Sequence, residues 1–146
     1  MRPVYCTKED NARERRRAEK FVAFLKRTGP QHIWGFRMSE PFANYDAIIL
    51  RDGKPIAVIE VRDRNGDYRR HEFWHTAKLK VQRSLDAANK LGLPLFLLVS
   101  WDEDTFFTKG SNLVACKTYI SGRRDRDDPM DWEEMILMPP SIFQRY

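Results

Sequence analysis

Cysteine is nearly absent: the 146 residues hold only Cys6 and Cys116. Two thiols are too few for a disulfide scaffold or a cysteine-based zinc site, so they read as buried or free thiols in a reducing compartment. Long apolar runs are missing too. The longest, Leu95-Phe96-Leu97-Leu98-Val99, falls far short of the ~20 residues a membrane-spanning helix needs. The opening stretch Met1-Arg2-Pro3-Val4-Tyr5-Cys6 lacks the apolar segment of a secretory signal, which leads us to expect a cytoplasmic protein. No internal repeat or low-complexity segment occurs. A secreted disulfide scaffold, a helical membrane protein and a repeat array are all disfavoured on these grounds.

What is present fits a folded domain. Hydrophobic residues make up 42% and charged residues 32%, and four Trp, five Tyr and nine Phe supply large core side chains. Residues 1–146 are of a size for one domain with a single unstapled core. The net charge is +5 and the arginines cluster: Arg13, Arg15, Arg16 and Arg17, then Arg62, Arg64, Arg69 and Arg70, then Arg123, Arg124 and Arg126. Clustered cations favour polyanions, because each neutralised phosphate releases condensed counterions. A merely solvated surface is the alternative. Membrane attachment is the weaker idea, since no apolar helix face accompanies the basic runs.

Residues 10–28 read as a helix, with Ala18, Phe21, Val22 and Leu25 at helical spacing and Gly29-Pro30 ending it. Residues 32–38 are aromatic and β-branched enough for a strand. Two apolar runs, 46–50 and 56–61, flank Arg51-Asp52-Gly53-Lys54-Pro55, a hairpin signal. From 72 to 91 the pattern is again helical, Trp74, Ala77, Val81, Leu85, Ala88 and Leu91 forming one stripe before Gly92. Residues 95–99 look like a strand covered on both faces. The core is thus α-β-β-β-α-β over residues 10–100. In the extension 101–146, residues 113–120 and 134–138 suggest strands around a charged loop at 122–131, and the tail is expected to extend the sheet.

The chemistry concentrates in the hairpin. Asp46 opens one apolar run, and Glu60 and Arg62 close the other. Charged groups at the ends of buried strands are costly unless paired or bound to a cation. Alternation puts Glu60 and Arg62 on one face. A two-residue Asp52-Gly53 turn would set Asp46 opposite Ile59. A five-residue loop, 51–55, would set Asp46 opposite Glu60, and it keeps Pro55, which has no N–H, out of the ladder. The second is favoured. The two carboxylates would then repel unless a hard divalent ion such as Mg²⁺ lay between them.

Asp46 followed, across a hairpin, by Glu60-Val61-Arg62 resembles the PD-(D/E)XK nuclease superfamily, and the αβββαβ order resembles its restriction-endonuclease-like core. The stretch from Ala18-Glu19 through Asp46 and Glu60 is similar to Holliday-junction-resolvase-type and small phage and virus nuclease domains. The resemblance implies an α/β fold with a mixed sheet flanked by helices, and a nuclease of the endonuclease kind, hydrolysing DNA with Mg²⁺ or Mn²⁺. It implies metal ligation by Asp46, Glu60 and the Val61 carbonyl. It also implies a helical acid at Glu19 (Glu14 as the alternative) and phosphate contacts from Arg64, Arg69, Arg70, Lys78, Lys80 and Arg83. Tyr68, Phe73 and Trp74 would stack on a base or simply pack. A homodimer is a further implication.

Two positions depart from the pattern. Tyr45 stands where the family name has Pro. Arg62 stands where it has Lys, and a guanidinium cannot act as a base though it can stabilise phosphoryl charge. Either Arg62 takes the electrostatic role, or Lys78 or Lys80 substitutes, or the domain binds nucleic acid without cutting it. A protein-binding regulator is a third reading. His71 and His75 are read as a surface pair and Gln82 as a solvated helix residue.

Overall fold

A computed structural model of the chain describes residues 8–122 and 132–146. The element order is α1 (Lys8–Thr28), β1 (Trp34–Met38), β2 (Ala47–Arg51), β3 (Lys54–Arg64), β4 (Trp74–Ala77), α2 (Lys78–Leu91), β5 (Leu95–Trp101), β6 (Asp104–Lys109), α3 (Gly110–Val114), β7 (Thr118–Gly122), β8 (Trp132–Met138) and β9 (Gln144–Arg145). Six strands form one sheet in the order β1-β2-β3-β5-β6-β9, and β4-β8-β7 form a second. Among the described residues only β3 and β5 run parallel and the other pairs are antiparallel, so the main sheet is mixed. The fold is the α/β arrangement expected, a mixed sheet flanked by helices.

The two faces of the main sheet are packed by different helices. Ala18, Phe21 and Val22 of α1 cover Ala47, Ile49, Ala57, Ile59, Val61 and Leu98. On the other face Ala88 of α2 packs with Val58 and Leu95, while Val81 joins Leu97, Val99 and the small sheet's Ile136 and Met138. Gly92 closes α2 in the left-handed region (φ 69°), its N–H donating to Ala88 and Asn89 carbonyls. Among the described residues no helix is long and apolar enough to cross a membrane.

The hairpin differs from the expected loop. Asp52 and Gly53 form a two-residue turn with positive φ at both positions (53° and 78°), the geometry that matches strand twist. Pro55 lies in the strand opposite Leu50, yet the next pair is Ile49 with Ala57, so Ile56 is an extra residue on β3. This β-bulge shifts the register by one, and Ala47 faces Ile59. One step further brings Asp46 alongside Glu60. The missing N–H of Pro55 is accommodated by a bulge rather than by a longer loop.

Other boundaries also move. Residues 32–33 are outside β1 because they hold the turn: the Ile33 N–H and His32 Nδ1 both reach the Asp52 carboxylate at 2.8 Å. The expected helix at 72–91 starts only at Lys78, since Trp74–Ala77 pairs with β8 as a strand. Instead of one strand over 113–120 there is α3 and then β7. β6 was not anticipated. It follows β5 through a tight turn with Asp102 at φ 54°. β6 and β9 do extend the main sheet, whereas β7 and β8 build the second one with β4. Cys6, most of the charged loop at 122–131 and its arginines Arg123, Arg124 and Arg126 lie outside the described residues; Cys116 is a free thiol.

Candidate active site

Alternation along β3 divides its charges. Ile59 and Val61 point into the α1 core, whereas Glu60 and Arg62 point toward α2. Glu60 is 7% exposed. Its Oε2 accepts the Ser84 hydroxyl of α2 at 3.0 Å, and its Oε1 lies 2.8 Å from Arg62 Nη2. Asp46 is fixed by the backbone: the Val61 N–H donates to its Oδ2 at 2.7 Å, and its own N–H donates to the Ile59 carbonyl at 2.9 Å. The hairpin therefore orients one carboxylate, and α2 orients the other.

These acids line a cavity of about 320 Å³ together with Phe42, Asn44, Lys80, Arg83 and Ser84. Burial, and then the neighbouring Asp46 charge, push Glu60 up to about 7, against the pull of Arg62, Ser84 and Lys80. Two carboxylates thus share one cleft, and the buried one, Glu60, holds its proton more tightly than a free glutamate. Such perturbed acids gather where chemistry is done.

Ser84 ties the site together. Its buried Oγ lies 2.8 Å from the Asn44 carbonyl, 3.0 Å from Glu60 and 3.1 Å from the Lys80 carbonyl. It joins the 41–45 loop, β3 and α2 through one hydroxyl. Sequence reasoning missed it, although its place on the apolar stripe side of α2, one residue from Leu85, was a usable signal. Phe42 was missed as well; it is 74% exposed at the rim of the cavity.

The remaining expected residues divide. Lys80 and Arg83 line the cavity. Lys78 instead donates to Glu134 on β8 at 3.1 Å and lines a separate groove, so of the two lysines weighed for the missing family lysine, only Lys80 is at the acids. Arg64 is half-buried and its guanidinium donates to the His75 carbonyl. Arg69 is exposed and grips Asp67 through two hydrogen bonds of 3.0 and 3.1 Å; Arg70 is exposed. Glu19 is exposed on α1 and lines neither cavity beside Asp46, whereas Glu14 lines a small one with Asp46, Asn11 and Tyr45. Five residues of helix turn a side chain by about 140°, so both cannot face the same cleft. Among the described residues no group of three or more His, Cys, Asp or Glu side chains converges in a ready-made metal cluster.

Trp74 is core, packed on Trp101, Phe106 and Phe143, and Tyr68 packs edge-on against Phe106; Phe73 is 39% exposed. His75 is not on a helix: its Nδ1 meets the Tyr119 hydroxyl at 2.7 Å, while His71 stacks on Trp101. Gln82 donates to Asp86 at 3.1 Å on the exposed side of α2.

The family described as "Phage putative PDDEXK endonuclease" matches the whole chain, residues 1–146. The chain belongs to this phage PDDEXK endonuclease family. Its fold is shared with two solved nucleases. One is Hjc, a Holliday junction resolvase from the archaeal hyperthermophile Archaeoglobus fulgidus, at TM-score 0.50 and 13% identity over 87% of this chain and 88% of that one. The other is D212, a nuclease from a fusellovirus, at TM-score 0.53 and 13% identity over 87% of this chain and 79% of that one. No curated protein sequence matches. Asp46 and Glu60, the two acids singled out from the sequence, face one cleft in this family member, with Arg62 two residues beyond Glu60 on the same strand.

Proposed function

We propose that the chain is a divalent-metal-dependent endonuclease that hydrolyses phosphodiester bonds in DNA. The observation that carries this reading is the pairing of Asp46 with the buried Glu60 in one cleft bordered by Lys80 and Arg83. Asp46, Glu60 and the Val61 carbonyl offer only oxygen atoms. Mg²⁺ or Mn²⁺ suits that donor set, since Mg²⁺ takes one or two carboxylates from a protein and keeps several waters. Such an ion supplies Lewis acidity toward the phosphate and makes a nearby water easier to deprotonate.

The protein's own part is positioning and charge. The Val61 N–H and the Ser84 hydroxyl hold the two carboxylates at fixed places on adjoining strands. Lys80 and Arg83 bind backbone phosphates at the cleft without reading sequence, and Arg69 and Arg70 do so further out. Arg62 stabilises charge that develops on the phosphate. Glu14, rather than Glu19, is the helical acid that assists at the Asp46 side of the cleft, and Phe42 stacks on an unpaired base at the rim.

A second reading keeps DNA binding and gives up cutting. It is favoured by the 2.8 Å contact that ties Arg62, the residue in the family's lysine position, to Glu60. One experiment separates the two: labelled duplex, single-stranded, flapped and four-way DNA incubated with wild type and Glu60→Ala in Mg²⁺, Mn²⁺ or EDTA. Metal-dependent products that disappear in the variant are the expected result. Binding in a gel shift with no products on any substrate would establish the second reading.

A further inference from the structure

Arg62 reaches toward two of the oxygen atoms that the proposed function assigns to a cation. Its Nη2 lies 2.8 Å from Glu60 Oε1, and its Nη1 donates to the Val61 carbonyl at 3.3 Å. One guanidinium thus spans both oxygens, from a side chain on the same strand. The grip is loose. Nη2 is buried but has no aligned hydrogen-bond acceptor, so its contact with Glu60 is charge against charge rather than a two-pronged fork. Strong guanidinium–carboxylate pairs use two parallel hydrogen bonds; here one contact is misaligned and the other is long.

We infer that Arg62 is a built-in counter-cation that occupies the metal's place until nucleic acid arrives, making metal binding and nucleic-acid binding mutually dependent. This rests on the metal site of the proposed function and goes beyond it. With no nucleic acid present, a divalent ion must displace a positive charge from Glu60 and the Val61 carbonyl. A phosphate in the cleft offers Arg62 two anionic oxygens that the planar guanidinium fork can grip together. Arg62 then leaves Glu60, which frees both oxygens for the ion. Linkage requires the effect to be reciprocal: the ion must raise nucleic-acid affinity by the same factor. A lysine at this position is a point charge without the fork and could not span the two oxygens in the same way. The substitution at the family's lysine position becomes a coupling device that suppresses metal loading of the free protein.

The test is Mn²⁺ binding by calorimetry, with and without a short phosphorothioate duplex that resists cleavage, for wild type, Arg62→Gln, Arg62→Lys and Glu60→Gln. Wild type should bind Mn²⁺ weakly alone and about tenfold more tightly with the duplex, within the usual range of coupling between sites. Arg62→Gln should bind about tenfold more tightly than wild type without duplex and lose most of the enhancement. Arg62→Lys, which keeps the charge and protects the fold, should lie between them. Equal or weaker Mn²⁺ binding by both Arg62 variants, with binding still abolished in Glu60→Gln, overturns the inference and leaves the metal site standing. No Mn²⁺ binding by any protein, with or without duplex, overturns the metal site and the inference together.

Discussion

The two faces of β3 each carry an acid beside arginine, and they do different things. On the α1 side Asp63 lies 3.2 Å from Arg17 and 3.6 Å from Arg13, with Arg17 also donating to the Asp102 carbonyl. On the α2 side Glu60 has an arginine, a hydroxyl, the Lys80 charge and a facing carboxylate. Asp63 is surrounded by surplus positive charge and keeps access to water, its side chain being 22% exposed. Glu60 is buried beside a second acid, and burial first and the Asp46 charge second raise its proton affinity against the pull of Arg62 and Lys80. Proximity to arginine is therefore uninformative about chemistry. A second acid and an open cavity are what set the α2 side apart from a docked helix, and the proposed chemistry rests on them.

The largest contrast should appear in cleavage. Glu60→Gln should lower the rate by about 10³-fold or more, the scale on which a single charge-stabilising group is felt in a buried site. Asp63→Asn should leave the rate within about threefold and cost no more than ~1 kcal/mol of stability, as partly exposed ion pairs do. Equal losses of activity in the two variants would erase the distinction drawn between the faces.

The next contrast is in pH dependence. An unfolded glutamate titrates near 4.5, but folded Glu60 is pushed up to about 7. The folded state thus holds its proton longer, so stability is full below the lower value and declines as pH rises through about 7. In EDTA the loss from pH 4 to pH 8 should be on the order of 3 kcal/mol, read from urea midpoints. Glu60→Gln should flatten this slope, Asp63→Asn should leave it, and Mg²⁺ in excess should restore stability at pH 8 in the wild type and Asp63→Asn but not in Glu60→Gln. A slope that survives in Glu60→Gln would assign it to another group.

Ser84→Ala sharpens the comparison, because no hydroxyl bridges helix and strand at Asp63. Removing it should cost about 1–2 kcal/mol, the usual range for a buried hydroxyl that leaves acceptors unpaired. About tenfold in the rate should go with it, since roughly 1.4 kcal/mol of lost positioning is a factor of ten. Thermal melts and single-turnover rates measure the two. Phe42→Ala should have the smallest effect: unchanged melting, and single-strand affinity reduced by about 1 kcal/mol, the low end for one stacking contact. Fluorescence anisotropy with single-stranded and duplex oligonucleotides would read it, and equal weakening on both would remove its stacking role.

The acid pair was legible in the sequence because charge inside apolar runs is rare and has to be explained by burial chemistry. The way it is brought together was not. Pro55 signalled an interruption in pairing, but a loop and a bulge satisfy that signal equally, and only tertiary packing chooses. The start of α2 was misread for a related reason. Trp74, Ala77 and Val81 fit a helical stripe, yet Trp74 and Thr76 are both buried in a four-residue strand too short for its period to show. Pairing with β8, 58 to 64 residues away in the chain, decides it, and local pattern does not report such distances. Glu14 and Glu19 differ only in helical phase toward a cleft that the sequence does not draw.

The bulge at Ile56 also acts as a proofreading step in assembly. A hairpin that closed without it would slide by one residue, and Asp46 would no longer meet Glu60. The same slip would turn Ala47 and Ile49, both fully buried against α1, to the opposite face relative to their β3 partners. A cleft built in the wrong register is thereby also a poorly packed protein, and folding itself disfavours it. The cleft inherits its accuracy from the hydrophobic core on the far side of the sheet.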